Sequence, residues 1–194
     1  MAVDFYKGHR DVRVLAYLDP QKNTKGRHFM NTVVFPRFAR FFKDGDLVYN
    51  IGQHVFWDYS VLFNNFEKRV NYLTTDNDPT QGNPDVIDDI TDSKIESNSA
   101  DGIIYVGMSD VVHDHPKAIE NMYRILKPGG RLLFSFHGGG SGPLKDTNLM
   151  GILDMLQKFI IDEMYFVYGP GGLDWGEMYT NGDVDSHFII CRKS

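Results

Sequence analysis

Residues 99–136, SADGIIYVGMSDVVHDHPKAIENMYRILKPGGRLLFSF, decide the fold. The run IIYV is continuously apolar, which is typical of a parallel strand covered on both faces. HPKAIENMYRILKPGG then places apolar residues at helical spacing as far as Leu126, and Pro128 with Gly129 is expected to terminate the helix. RLLFSF reads as the next strand. A strand, a helix and a strand in this order predict a right-handed parallel crossover.

The rest of the chain extends this alternation in both directions. LVYNI, VNYLTTD and the short PDVIDDI read as three earlier strands, with WDYSVLFNNF as a helix between the first two. Upstream, MNTVVFPRFARFF has helical spacing and Pro36 is expected to set the helix start. Downstream, NLMGILDMLQKF reads as a helix, and FIIDEMYFVYG and SHFIICRKS follow as two strands in succession. Two consecutive strands must pair as a hairpin, so one of them runs antiparallel.

These elements predict an α/β fold, a Rossmann-like, doubly wound sheet of seven strands. The sheet is expected to be mostly parallel, with the last strand inserted antiparallel beside the fifth. All 194 residues are expected to form one domain. Its parts are an N-terminal extension and helix (1–45), a nucleotide-binding core (46–137), and a helix with the closing hairpin (138–194).

Composition excludes several classes of function. A formal net charge of -6 argues against a nucleic-acid partner, because phosphate backbones are bound by clustered Lys and Arg. The single cysteine, Cys191, fits a reducing compartment and lies in an apolar run where a buried thiol is expected. No stretch approaches the ~20 apolar residues of a membrane span, and no apolar signal core opens the sequence. We therefore expect a cytoplasmic protein without a membrane partner, and the sequence leaves its oligomeric state open.

The stretch DLVYNIGQHVF contains the turn that follows the first strand. Nucleotide-binding turns at this place normally carry two or three glycines, because backbone and ligand come very close. Here Gly52 stands alone, with His54 and Phe56 two and four positions further on. The turn either follows a different path that uses its side chains, or leaves the pocket partly filled.

The quoted block resembles the class I S-adenosylmethionine-dependent methyltransferases that act on small molecules. In that family a helix ending in RxLKPGG separates the fourth and fifth strands. Here the motif is matched by Arg124, Leu126, Lys127, Pro128, Gly129 and Gly130. The resemblance covers residues 30–137 and, by topology, the closing hairpin. It implies S-adenosylmethionine as cofactor.

The resemblance also implies where the cofactor binds. Asp76 matches the carboxylate that accepts both ribose hydroxyls, with Asn77 beside it. Asp89 matches the acceptor for the adenine amino group, and Ile90 the apolar neighbour that covers the ring. The residues expected around the methionine end are Asn50, Gly52, Gln53, His54, Val106 and Gly107. From the residues alone, Asp76 and Asp89 could equally be turn-forming carboxylates and Val106 plain core.

Methyl transfer needs a positioned nucleophile and in some members a base. The Glu–His pair of many members falls here on Val111 and Val112, which have no acid–base chemistry. His113 is the first candidate base because histidine titrates near neutrality; the alternative is that His113 and His115 are surface residues at the helix entry. A metal site in HDHP is disfavoured because a convergent set of three or four ligands is missing.

The predicted function is therefore methyl transfer from S-adenosylmethionine to a small molecule, such as a sugar or another metabolite. The alternative is a non-catalytic methyltransferase-like module that acts through protein partners, which the single glycine of the turn favours. A nicotinamide oxidoreductase is disfavoured by the closing hairpin and by the RxLKPGG block.

Overall fold

The computed structural model describes residues 29–52, 63, 69–80, 83–109, 111–136, 144, 147–168 and 184–194. A seven-stranded sheet runs through these residues in the order β3-β2-β1-β4-β5-β7-β6. The strands are β1 (Leu47–Ile51), β2 (Asn71–Asp76), β3 (Val86–Ile87), β4 (Ala100–Tyr105), β5 (Leu126–Phe136), β6 (Phe159–Tyr168) and β7 (Val184–Lys193). The helices are α1 (Phe35–Ala39), α2 (His115–Ile125) and α3 (Leu149–Met155), with a 3-10 turn at Ile90–Asp92.

Strand directions confirm the predicted sheet. β1 pairs in parallel with β2 and β4, and the β2–β3 and β4–β5 pairs are parallel as well. β7 lies between β5 and β6 and is antiparallel to both. The prediction that the last strand is inserted antiparallel beside the fifth is therefore confirmed.

Alternating side chains of the central strands bury against two layers, one on each face of the sheet. One face carries Tyr49, Ile103, Tyr105 and Phe134 and packs against Met122 and its neighbours on α2. The other face packs against the N-terminal helical segment, whose buried residues there are Met30, Val34, Phe35, Phe38, Ala39 and Phe42. Because both faces are covered, the strands of the parallel core read as nearly continuous apolar runs.

The N-terminal helical segment differs from its prediction at Pro36. Helical backbone precedes Pro36, because a π-helical turn at Met30–Val34 leads directly into α1. The Phe35 N–H donates to the Met30 carbonyl, five residues back. In a regular α-helix a proline ring presses on the carbonyl four residues earlier, which here is that of Thr32. The wider turn relieves this conflict, so Pro36 sits in the first turn of α1 without starting the helical segment.

The end of α2 also differs from its prediction. The helix stops at Ile125, and LKPGG forms the first part of β5 instead of the helix terminus. Leu126 is already extended, with φ -63 and ψ 138, and it pairs with Ala100 of β4. The Lys127 Nζ binds Asp101 Oδ2 at 2.7 Å, and Lys193 Nζ donates to the Leu126 carbonyl at 2.8 Å. These contacts come from distant parts of the chain, which is why helical spacing alone placed the boundary too late.

Candidate functional site

The carboxyl ends of the parallel strands meet at one edge of the sheet, where ligands bind in open α/β folds. In the observed register Ile51 lies beside Thr75, Asp76 beside Ile87, and Asn50 beside Ile104. The residues that immediately follow these positions are therefore neighbours at the same edge. This edge brings together the described members of the predicted cofactor site.

Gly52 ends β1 with φ +65, a conformation that favours glycine. A Cβ atom added there would overlap the Sδ and Cε atoms of Met108, so the side chain of Met108 lies directly over the glycine. Met108 is 9% exposed. Asn50, two residues before the glycine, is buried. The sequence did not single out Met108, because nothing in the pattern GMSDVV indicates where its side chain points.

Asp76 is half-buried at the end of β2. Its Oδ1 accepts from the Asp78 N–H at 3.0 Å, and its carbonyl accepts from the Asp88 N–H at 3.0 Å. Burial raises the pKa of the Asp76 carboxyl above its ordinary value, while the backbone hydrogen bonds from Asp78 and Asn77 act in the opposite direction. The Asn77 side chain is exposed. Asp76 is thus a carboxylate that has lost part of its hydration and gains from further hydrogen-bond donors.

Asp89 follows β3 and begins the 3-10 turn. Its Oδ1 accepts from both the N–H and the Oγ1 of Thr91, at 2.9 and 2.8 Å. The side chain is exposed, whereas Ile90 is buried. The Ile90 carbonyl accepts from Asn121 Nδ2 of α2 at 2.8 Å, which fixes the turn against the helix. Both readings of Asp89 from the sequence therefore remain compatible, since one oxygen forms the turn and the carboxylate still faces solvent.

Asp88, one residue before Asp89, is half-buried. Its Oδ1 accepts from the Lys94 N–H at 2.8 Å, while its Oδ2 is buried and has no hydrogen-bond partner among the described residues. The pKa of the Tyr49 hydroxyl is raised by burial and, secondarily, by the charge of Asp88.

Val106 and Gly107 directly follow β4 at the same edge of the sheet. Val106 is buried, and Gly107 has φ +75. The Gly107 N–H donates to the Oγ of Ser135 at 3.1 Å, and Ser135 is itself buried on β5. The turn after β4 is thus tied to the neighbouring strand.

The two histidines of the following loop have different environments. His113 is exposed, as expected for a residue at the helix entry, and Val111 beside it is also exposed. His115 is buried, so the reading of both histidines as surface residues is wrong for this one. Its Nδ1 lies 2.9 Å from the Tyr105 hydroxyl and its Nε2 3.3 Å from the Ser109 carbonyl. A carbonyl only accepts, so Nε2 carries the proton and Nδ1 accepts from Tyr105.

A buried pair of this kind could not be read from spacing, because Tyr105 comes from a strand and His115 from a helix. Both ring nitrogens of His115 form hydrogen bonds, and Asp114 Oδ1 accepts from the Lys117 N–H at 3.0 Å. The side chains of His115 and Asp114 therefore stabilise the start of α2. Within the described part of the chain, no group of three or more His, Cys, Asp or Glu side chains could hold a metal ion. Gln53, His54 and Phe56 lie outside the described residues.

Comparison with protein families adds a second line of evidence. Residues 61–134 match the family model described as "Methyltransferase domain". No curated protein sequence matches the chain significantly. No helix in the described ranges is long and apolar enough to cross a membrane.

Several solved structures are similar to this chain. One is the N-methyltransferase NodS from Bradyrhizobium japonicum WM9, with a TM-score of 0.57 and 15% identity, covering 82% of this chain and 92% of that one. Another is phosphoethanolamine N-methyltransferase 2 of Haemonchus contortus in complex with S-adenosyl-L-methionine, with a TM-score of 0.56, 16% identity, and coverage of 89% and 54%. A third is the [4+2]-cyclase SpnF, with a TM-score of 0.64, 13% identity, and coverage of 86% and 82%.

At these identities the likeness to solved structures concerns the fold. Together with the family match, it confirms the predicted resemblance to class I S-adenosylmethionine-dependent methyltransferases. The same findings support S-adenosylmethionine as the cofactor. They give no support to the alternative of a non-catalytic module.

Proposed function

Since the chain has the fold of the class I S-adenosylmethionine-dependent methyltransferases, and residues 61–134 match a methyltransferase domain, we propose that it transfers a methyl group from S-adenosylmethionine to a small molecule. The observation that carries the proposal is Asp76, a half-buried carboxylate at the carboxyl end of β2. Burial raises the pKa of this carboxyl, and two ribose hydroxyls would donate hydrogen bonds to the partly desolvated carboxylate.

The other residues of the edge fit the remaining parts of the same ligand. Asp89 presents a solvent-facing carboxylate for an amino group, and Ile90 is a buried apolar neighbour that can cover one ring face. Gly52 and Gly107 both have positive φ, and neither has a side chain that would keep a ligand from the backbone. Val106, the buried neighbour of Gly107, is apolar. When bound, S-adenosylmethionine supplies an electrophilic methyl group on a sulfonium sulfur.

The chain contributes to the reaction mainly by holding and orienting the cofactor and the methyl acceptor. A nucleophile kept in line with the methyl group reacts faster because its translational and rotational freedom has already been lost. If the acceptor carries a proton that must leave, exposed His113 of the loop after β4 is the candidate to accept it. An exposed position is suited to this role, because the proton can then pass to solvent.

The names of similar solved structures suggest the chemical class of the methyl acceptor. The NodS and phosphoethanolamine structures are named as N-methyltransferases, and the name of the second also gives a small phosphorylated amine. A small metabolite with an amine or a hydroxyl nucleophile is therefore the acceptor class that we propose. The chain's negative net charge agrees with an acceptor other than a nucleic acid.

The first experiment measures cofactor binding by calorimetry on the wild-type protein and on Asp76→Ala. Charge-assisted hydrogen bonds are worth ~1.5–3 kcal/mol, so the variant should bind S-adenosylhomocysteine ~10-fold more weakly or worse. Asp154→Ala, which removes an exposed carboxylate from α3, is the matched control and should bind as the wild type does. Equal affinity in Asp76→Ala and wild type would place the ribose elsewhere.

Transfer itself is tested with S-adenosylmethionine labelled in the methyl group and a panel of small amines, alcohols and sugars. His113→Gln should lower kcat without changing the Kd for S-adenosylhomocysteine, if His113 removes a proton. A wild-type protein that binds neither S-adenosylmethionine nor S-adenosylhomocysteine would refute the proposed function.

A further inference from the structure

We propose that Met108 is a gating residue whose side chain covers Gly52 and must move aside for the cofactor to bind. The inference rests on the proposed function, because it concerns the same edge of the sheet. It assigns to this methionine the control of cofactor affinity.

The main observation is the contact between the two residues. A Cβ atom at Gly52 would coincide with the terminal part of the Met108 side chain, so the Sδ and Cε atoms fill the space directly over the glycine. Glycine at the end of the first strand is the place where backbone and cofactor approach each other in this fold. The methionine and the ligand therefore compete for one volume.

The sequence of the turn makes this contact more consequential. The resemblance expects two further glycines after Gly52, and the chain has His54 and Phe56 there. Of the three positions where the resemblance expects glycine, Gly52 is therefore the one that has it. A side chain that covers Gly52 lies where the resemblance expects the backbone and the cofactor to approach each other.

The backbone that carries Met108 is anchored on both sides. Before it, the Gly107 N–H is bound to Ser135 Oγ at 3.1 Å. After it, the N–H groups of Val111 and Val112 both donate to the Met108 carbonyl at 3.2 Å. The Ser109 carbonyl in turn accepts from the buried ring of His115. Because the backbone is held, movement is left to the side chain itself, and methionine has three rotatable bonds and little rotamer preference.

These facts set the direction of the effect. The thioether is packed at 9% exposure, and leaving this position costs free energy that the ligand must supply. Shortening the side chain removes this cost, so cofactor affinity should increase. If the thioether were instead part of the wall that contacts the bound cofactor, shortening it would decrease affinity.

The test compares the wild-type protein with Met108→Ala and Met108→Val, both of which lack the Sδ and Cε atoms. Calorimetry with S-adenosylhomocysteine should give an affinity higher by ~5-fold or more, the lower end of the range for a conformational change coupled to binding. Stopped-flow fluorescence should show the larger part of the gain in the association rate. Met155→Ala, which shortens a partly buried methionine on α3, is the control and should bind like the wild type.

A second measurement tests the contact without any ligand. Gly52→Ala should lower the melting temperature, because the new methyl group overlaps Met108 and because alanine disfavours φ +65. The loss caused by Gly52→Ala should be smaller in a Met108→Ala background than in the wild-type background, since only the backbone strain then remains. Equal losses in the two backgrounds would contradict the contact.

The binding outcomes also separate this inference from the proposed function. Detectable binding by the wild type, with tighter binding by either Met108 variant, supports the gate, whereas binding by the variants alone overturns the proposed function. Binding by the wild type with equal or weaker binding by both variants overturns the gate and leaves the proposed function standing. Absence of binding in all of these proteins overturns both.

Discussion

Removing the hydroxyl of Tyr105 should destabilise the protein and disturb the loop after β4. The hydroxyl lies 2.9 Å from Nδ1 of His115, and both side chains are buried. Tyr105→Phe keeps the ring, which stacks on Phe134 with centroids 5.4 Å apart, so the variant removes a single hydrogen bond. A buried acceptor that loses its donor costs ~1–3 kcal/mol. In a chain of this size each kcal/mol corresponds to ~2–4 °C in melting temperature.

The assay is urea denaturation together with thermal unfolding, and Tyr123→Phe is the matched control. The Tyr123 hydroxyl also makes a hydrogen bond, at 2.8 Å to Ser194 Oγ, but it is exposed and its loss should cost less than ~0.5 kcal/mol. A double-mutant cycle with His115→Leu should give a coupling of ~0.5–3 kcal/mol, because the two residues are in direct contact. A cost for Tyr105→Phe no larger than that for Tyr123→Phe would refute the reasoning, as would a coupling near zero.

Two further predictions concern the helix that follows this loop and the proposed ribose ligand. Arg124→Ala should lower the free energy of unfolding in urea by ~1.5–3 kcal/mol, because its guanidinium donates to the carbonyls of Ile95 at 2.7 Å and Ser93 at 3.0 Å. Arg124→Lys should recover part of this loss. Unchanged stability in Arg124→Ala would contradict the prediction. Burial raises the pKa of Asp76 in the free protein, so the folded state holds this proton more tightly than the unfolded state does, and stability falls as pH rises between the two pKa values. A ribose ligand prefers the ionised carboxylate, so its affinity should weaken as pH falls through the raised pKa, with proton release seen by calorimetry in buffers of different ionisation enthalpy. A Kd that is independent of pH in this window, or as dependent on pH in Asp76→Asn as in the wild type, would exclude Asp76 from the site.

The sheet was predictable from sequence because its strands are buried on both faces. Continuous apolar runs such as GIIYV have few alternatives to a covered parallel strand, and two successive strands at the end require an antiparallel partner. The boundary between α2 and β5 was not predictable in the same way. Leu126 continues the helical period, yet pairing with Ala100 and the hydrogen bond from Lys193 draw it into the sheet. Local spacing carries no information on partners that lie 26 and 67 residues away.

The place of the candidate residues at the strand ends was predictable from the sequence, and their side-chain contacts were not. The order of strands places Asp76 and Asp89 at one edge, and this follows from topology together with the family resemblance. The burial of His115 depends on a tyrosine from another element, and the cover over Gly52 depends on the rotamer of Met108. Side-chain contacts between elements are fixed only when the chain is folded, so a pattern of residue types cannot give them.

The place of β7 within the sheet has a consequence for the synthesis of the chain. β6 precedes β7 in the sequence, and in the described sheet its neighbour is β7, which also covers the edge of β5. While the polypeptide leaves the ribosome, β5 therefore has an open edge, and β6 has no strand to pair with until residues 184–193 emerge. Unpaired edges with apolar side chains are aggregation-prone in partly folded chains. We expect nascent chains arrested before β7 to bind chaperones, and release of β7 to be the step that covers the edge of β5 and gives β6 its partner.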